Sequence, residues 1–445
     1  MGLVRLTIER MSYGFDAVSH TAEGKTVFVA GGVAGDVVEA RIVSDGKTFS
    51  RAVTEQVLEP SPYRVASPCP FAAACGGCPW SSMAYPAQVA AKRANVVDAL
   101  VRIGRFAPER AEGLVAQVRT PGEPWGYRNK VELAVSQGPR GMELGMHRRS
   151  DEEGVLPVDR CLLLPKKHQR LPRAVTGALR FLGGRRDLGL SRVGVRASTI
   201  TDSVEVALWT DPEAFPRAEV AKVLTDGTKA TSIERVMVKA NDRAARRVVG
   251  VEKLAGTGYW TERVAGTRMR LSAPSFFQVN TAGAEELVRL VMEGLSPSEQ
   301  EWGVDLYCGA GTFTLPLARA CESVTAVESY GPAVRDLKRN VEKAGVAEAV
   351  ECVGDDAARQ LDCLEDADVV VVDPPRAGLD PSVVGALCDS SARAVAYVSC
   401  DPATLARDLA AFEADGRLVP QSVTPVDLFP QTFHVENVTI LRRRS

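Results

Sequence analysis

The clearest hydrophobic pattern lies in the last third of the chain. At 369–372 four valines run into Asp373-Pro374-Pro375-Arg376, and at 394–398 a second apolar run ends in Ser399-Cys400-Asp401-Pro402. Runs this short, apolar and β-branched predict strands buried on both faces of a parallel sheet. Further runs at 303–307 and 324–328, and one ending near Val353, join the same pattern with helical stretches between them. This alternation predicts a doubly wound α/β domain over 271–445, with a helix leading from Asn280 to about Gly294 and another from the 308–313 loop to Cys321. In such sheets ligands lie beyond the carboxyl ends of the strands. Asp373 and Cys400 are therefore expected on one rim, facing one crevice.

Toward the N-terminus the period changes. Residues 3–8 alternate, and short apolar stretches at 26–29 and 36–43 are punctuated by Gly31, Gly32 and Gly35. That spacing predicts a small OB-like β-barrel over 1–62, an architecture that often binds oligonucleotides. A cysteine-bearing segment occupies 63–84. Over 85–119, Val89, Val96, Val97, Leu100 and Ile103 make the apolar stripe of a packing helix ending near Gly104, with a linker after it. Residues 120–270 mix strands and helices, as a central α+β domain would.

At 445 residues the chain exceeds what one core supports, which fits this division. It contains no run of eighteen uncharged apolar residues and no apolar signal core near Met1, so the expectation is a cytoplasmic protein with no membrane partner, and a monomer by default. The net charge of −2 conceals a polarity: 119–270 carries 28 Lys+Arg against 18 Asp+Glu, whereas 271–445 carries 14 against 27. A basic middle is a candidate polyanion surface. Its densest stretch, 166–186, has seven basic residues and no acidic one, although a solvated helix face gives the same run. Trp125 and Tyr127 beside Arg128 and Lys130 suit stacking on bases and contact with phosphate; core packing accounts equally well for the rings.

Ten cysteines in a cytoplasmic chain point to ligands or catalysis rather than disulfides. Cys69, Cys75 and Cys78 are spaced C-x5-C-x2-C, and Gly76 and Gly77 let the backbone fold tightly enough for three thiolates to converge. Iron–sulfur clusters and structural zinc usually take four thiolates. Cys161 is the expected fourth, and spacing alone leaves the choice of metal open. In the last domain, Gly309-Ala310-Gly311 follows a strand, and Glu328, 19 residues after Gly309, ends the next one. A doubly wound fold places its ribose-binding carboxylate there. The third glycine that a pyrophosphate would require is replaced by Thr314, so the loop suits a cofactor without phosphate, such as S-adenosylmethionine. Asp355, ending the third strand, is expected to meet an adenine amino group. Glu436, beside the final apolar run, is expected to project into the crevice rather than stay on an exposed edge.

Together these stretches resemble the RNA 5-methyluridine (uracil-5-) methyltransferases. The resemblance spans nearly the whole chain. It is carried by Phe276-Phe277-Gln278-Val279-Asn280, by the loop 305–313, by Asp373-Pro374-Pro375-Arg376, by Ser399-Cys400-Asp401-Pro402 and by His434-Val435-Glu436. The glycine turns and the closing Leu58-Glu59-Pro60-Ser61-Pro62 resemble a TRAM domain. The whole is most similar to the ribosomal-RNA branch, which carries that domain and a [4Fe–4S] cluster. The resemblance implies a Rossmann-like class I methyltransferase sheet, with Gln278, Tyr307, Thr312, Glu328, Asp355 and Asp373 contacting S-adenosylmethionine. It implies Cys69, Cys75, Cys78 and Cys161 as cluster ligands. Thr312 departs from the Asn of some members. It also implies RNA as partner, ribosomal RNA (23S) by preference and transfer RNA as the alternative.

The residue types fit the chemistry. Carbon 5 of uracil is a poor nucleophile until a thiolate adds to carbon 6, after which a base must remove the carbon 5 proton. This requires one Cys and one base: Cys400 and Glu436. The target base must leave its stack to be reached, and Phe276 is placed to stack against it. An RNA cytosine-C5 methyltransferase needs the same thiol and remains an alternative. An exocyclic-amine methyltransferase would carry an aromatic where Arg376 stands and would leave Cys400 and Glu436 idle. A non-catalytic RNA-binding factor would need none of the three.

Overall fold

The computed structural model describes residues 2–138, 141–149, 154–184, 187–240 and 246–444. Arg185 and Arg186, which close the basic run, lie outside the described residues.

Three large sheets and one two-stranded sheet, Trp260–Val264 with Thr267–Leu271, carry the described residues. The first has six strands in the order Leu3–Thr7, Val37–Asp45, Phe49–Glu59, Thr26–Ala30, Ala17–His20, Arg10–Met11. Its two edge strands are joined by only Ile8 and Glu9, so the sheet must curl round to bring its edges together. Leu6, Ile8, Val27, Val29 and Val38 fill the inside, which is why alternation was visible here. The second sheet, in the central region, has seven strands in the order Arg246–Gly256, Ser232–Ala240, Val204–Thr210, Leu190–Ala197, Lys130–Gly138, Gly141–His147, Val155–Pro157. The helices Leu171–Gly183 and Arg217–Thr228 bury one apolar face each in its core.

The third sheet has the order Val350–Val353, Ser323–Val327, Trp302–Leu306, Val369–Val372, Ala394–Ser399, Glu436–Arg443, Leu418–Val426. The first five strands are parallel and the last two antiparallel. Val369–Val372 and Ala394–Ser399 are buried throughout, because helices cover both faces. The strand Glu436–Arg443 inserts between Ala394–Ser399 and Leu418–Val426. It runs antiparallel to both, so its N-terminal end meets the C-terminal end of Ala394–Ser399.

Two expectations are corrected. The helix after the 308–313 loop is a single turn, Thr314–Leu317. Beyond it the chain tightens, with Arg319 N donating to Pro316 O and Ala320 N to Leu317 O, each three residues back. The helix Tyr85–Arg102 forms as expected, but its buried face is not simply apolar. Gln88, Lys92 and Asn95 are buried beside Val96 and Leu100, while Ile103 is 46 % exposed. It packs against the C-terminal domain, in contact with the helix Pro402–Asp415. Among the described residues no helix is long and apolar enough to cross a membrane.

Candidate active site

At the carboxyl ends of the third sheet opens a cleft of about 840 Å³. Each wall has a local cause. The strand Ala394–Ser399 stops because Asp401 caps the next helix, accepting from Ala403 N at 2.8 Å and Thr404 N at 3.2 Å, with Pro402 in the first turn. Cys400 is the residue left between strand end and helix start. Asp373 occupies the same position after Val369–Val372, its N–H donating to Leu306 O. The ladder pairs Ser399 with Asn437, so one further step of register places Cys400 opposite Glu436.

The glycine loop forms the opposite wall. Tyr307 has φ +62°, rare for a bulky residue, and Gly311 has φ +99°, where a Cβ would also stand 2.9 Å from Leu337. Beneath the loop Asp305 is buried and accepts from the Thr314 hydroxyl at 2.6 Å; burial pushes its carboxyl up to about 8. Glu328 reaches across, accepting from Gly309 N at 3.0 Å and Tyr330 N at 2.6 Å. The loop and the acid-ended second strand thus hold each other.

Of the residues expected to contact a cofactor, Gln278, Tyr307, Thr312, Glu328 and Asp373 line this one cleft, together with Cys400 and Glu436. Asp355 is the correction: it does not line the cleft, and Asp356 does. Asp355 turns aside to accept from Gln360 Nε2 at 2.9 Å, while Asp356 caps the short helix Ala357–Arg359. Two observations fit a bound cofactor. Among the described residues the buried Oε1 of Gln278 has no hydrogen-bond partner, and a Cβ at Gly309 would meet no atom within 4 Å.

The electrostatics are those of a crowded acidic site. Burial pushes Asp373 up to about 7. Burial, then repulsion by Asp373, pushes Glu436 up to about 8, and Arg376 pulls the other way. Burial, then the charges of Glu436 and Asp373, push the Cys400 thiol up to about 12, again opposed by Arg376. Perturbation of this size from burial plus named partners in a cleft marks a functional site. The Arg376 guanidinium also lies 3.3 Å from the His434 ring, and burial followed by the Arg376 charge lowers His434 to about 4.

A second cavity, of about 390 Å³, is lined by Cys69, Cys75, Cys78 and Cys161. Cys75 pairs with Arg148 in an isolated bridge, and Arg149 donates to the carbonyls of Ala72 and Cys78. Burial raises the thiols of Cys75, Cys78 and Cys161, and for Cys78 the charges of the other three come next. The four sulfurs therefore share one enclosure. Among the described residues, however, no three His, Cys, Asp or Glu side chains are set to hold a metal ion. Gly77 and Arg128 line both cavities.

Sequence reasoning placed Arg128 beside rings suited to RNA and gave no site role to Arg376, Tyr13, Phe15 or Phe433. Arg376 stood in a motif that quoted it. For Tyr13 and Phe15 there was no signal, because their partners lie almost the whole chain away.

Comparison with known proteins agrees with this geometry. The family model tRNA (Uracil-5-)-methyltransferase matches residues 356–444, and a model named Conserved hypothetical protein 95 matches 292–399. An uncharacterized RNA methyltransferase of Gloeobacter violaceus is 35% identical over 459 residues, covering 99% of this chain and 96% of that protein. One from Thermosynechococcus vestitus is 33% identical, covering 96% of each. The crystal structure of Pyrococcus abyssi tRNA (uracil-54, C5)-methyltransferase in complex with S-adenosyl-L-homocysteine superposes with a TM-score of 0.74 at 25% identity, covering 98% of this chain and 100% of that one. With relatives aligned end to end and the reactive residues on one rim, the chain belongs to the RNA methyltransferases of the tRNA (uracil-5-)-methyltransferase family.

Proposed function

We propose that this enzyme methylates carbon 5 of a uridine in RNA through a covalent adduct between Cys400 and carbon 6. The observation that carries the reading is the convergence of Cys400, Glu436 and Asp373 in one cleft with the glycine loop. S-adenosylmethionine supplies an electrophilic methyl group on a positively charged sulfur. Gln278, Glu328 and Asp356 are the residues that would bind it, the unpaired Gln278 oxygen accepting a hydrogen bond and the carboxylates taking hydroxyl or amino donors. Cys400 adds to carbon 6 as the thiolate, its proton lost to solvent, and electron density moves to carbon 5, which takes the methyl group as the donor's methyl–sulfur bond breaks to leave a neutral thioether. Glu436 as carboxylate accepts the carbon 5 proton; the carbon 6–sulfur bond then breaks, restoring the ring double bond, and the proton on Glu436 returns to the sulfur. Asp373 holds negative charge beside the methyl donor. Arg376 balances the developing charge around Cys400.

Four thiols around one cavity of about 390 Å³ are the donor set that a [4Fe–4S] cluster takes. Cys69, Cys75, Cys78 and Cys161 would be its ligands.

The N-terminal barrel and the cysteine segment first suggested ribosomal RNA. The Pyrococcus transfer-RNA enzyme aligns over its whole length, so that layout no longer separates the two substrates. Nucleoside mass spectrometry of ribosomal and transfer RNA from cells with and without the gene tests both points. Loss of 5-methyluridine from one RNA class supports the reaction and identifies the substrate. Intact 5-methyluridine with loss of another methylated base overturns the uracil reading.

A further inference from the structure

The loop between Arg10–Met11 and Ala17–His20 belongs to the N-terminal sheet, yet it reaches the catalytic rim. It is closed on itself: Ser12 donates to Asp16 O from both its N–H and its hydroxyl, and the Asp16 carboxylate is paired with Arg51 at 2.8 Å. This closure fixes two aromatic side chains. Tyr13 points inward, its hydroxyl donating to the carbonyl oxygen of Cys400 at 2.9 Å. Phe15 points outward, 53 % exposed, and lines the same cleft as Cys400 and Glu436. Phe433 sits between them, with ring centroids 5.4 Å from Tyr13 and 5.3 Å from Phe15. Phe433 in turn lies 4.1 Å from the His434 ring.

A single exposed ring is ordinary on a protein surface, whereas exposed rings gathered at one cleft mark an interaction site. The cleft already holds a second such ring, Phe276, 66 % exposed. If the cleft takes one base out of an RNA strand, the neighbouring bases lose a stacking partner and need another. Resting on the RNA reading above, we propose that the loop 12–16 is a working part of the methyl-transfer site. Phe15 stacks on an RNA base adjacent to the reacting one, and Tyr13 is a positioning residue that holds the Cys400 backbone. The N-terminal sheet is thereby coupled to the nucleophile as well as to the substrate.

The test uses the full-length protein, with bulk RNA from cells lacking the gene as substrate and S-adenosylmethionine as donor. Phe15→Leu keeps the apolar bulk but removes the aromatic face. It is expected to raise KM for RNA by about 5- to 100-fold, the range of losing one base–aromatic stack, with kcat and cofactor affinity retained. Phe15→Tyr should restore KM. Tyr13→Phe keeps the ring and loses only the hydrogen bond. It should lower kcat about tenfold, because small displacements of a reacting group are costly, with KM for RNA and cofactor affinity unmoved. Wild-type KM in Phe15→Leu overturns the stacking role. A parallel loss of cofactor affinity and melting temperature reduces the loop to a structural part and also overturns the proposal. If the wild-type protein methylates a base other than uridine, the uracil reading fails, but these KM and kcat ratios still decide the role of the loop.

Discussion

Cys400 stands opposite Glu436 across an antiparallel ladder whose last pair is Ser399 with Asn437. The sulfur leaves the C-terminal end of a parallel strand, and the carboxyl enters at the N-terminal end of the antiparallel strand beside it. An all-parallel sheet would have sent residue 436 to the far end of the sheet. The antiparallel insertion is what brings a thiol and a buried carboxyl, 36 residues apart, onto one rim. It also fixes their spacing by backbone hydrogen bonds rather than by flexible side chains, which is the preorganisation covalent catalysis needs.

That placement predicts opposite failures for the two residues. Cys400→Ala should bind RNA and cofactor but transfer no methyl group. Glu436→Gln should add to the base and accept the methyl group but not lose the carbon 5 proton. A covalent protein–RNA complex should then accumulate, resolvable as a slow band on a denaturing gel, with turnover down by about 10²–10⁴. Normal turnover by Glu436→Gln would remove it as the base.

A pH profile follows from the same site. Glu436 acts as a carboxylate, and burial with Asp373 repulsion pushes it up to about 8. The plot of kcat/KM against pH, which reports the free enzyme, should climb through neutrality and bend near pH 8. Asp373→Asn removes a negative neighbour, so the bend should move to lower pH, at reduced overall rate. For stability the sign runs the other way. The folded pKa of Asp373, about 7, lies above its usual 3.8, so the folded state holds the proton more tightly. The associated stability is full below about pH 4 and is lost as pH rises through 7. Asp373→Asn should therefore melt several degrees higher than wild type at pH 8, with the gain shrinking toward pH 4.

How much of this was legible in the sequence depended on distance along the chain. The strand runs and the glycine loop are local features, and local features leave local patterns. Glu436 was legible because a strand pattern followed it. Which of Asp355 and Asp356 lines the cleft was not legible, because adjacent carboxylates at a strand end differ only in which one caps the next turn. Tyr13 was invisible, since its contact to Cys400 spans 387 positions and no period encodes it. The helix Tyr85–Arg102 misled in a different way. Val96 and Leu100 of its apolar stripe are buried, but three of its five buried residues are polar, and polar residues on a buried face read as solvent-facing until their partners are known.

Those partners give the next prediction. Lys92 is fully buried and donates to Asp427 Oδ1 at 2.5 Å and to Phe429 O at 3.0 Å. Gln88, four residues earlier, donates to Gln431 Oε1 at 3.0 Å and accepts from Gln431 N at 2.8 Å. The helix thereby holds 427–431, the stretch leading to His434 and Glu436. Lys92→Ala leaves a buried carboxylate unpaired, at a cost of about 3–5 kcal/mol. Lys92→Met combined with Asp427→Leu should recover most of that in a denaturant melt. Recovery of stability without recovery of kcat would show that the pair also sets the geometry of the base strand.

The cysteine enclosure yields a prediction that does not depend on activity. Protein purified without oxygen should be brown and carry about four iron atoms per chain, the content of one [4Fe–4S] cluster. Cys75→Ser should lose the colour and most of the iron. The glycine loop and Glu328 line the catalytic cleft and not the cysteine cavity, so cofactor affinity measured by calorimetry should stay within about threefold of wild type. RNA affinity should fall further, because Gly76, Gly77 and Pro79 form part of the catalytic cleft's wall. Zinc in place of iron in the anaerobic protein would overturn the cluster assignment while leaving the four ligands intact. Neither metal would mean that the four thiols around one cavity are held together only by packing.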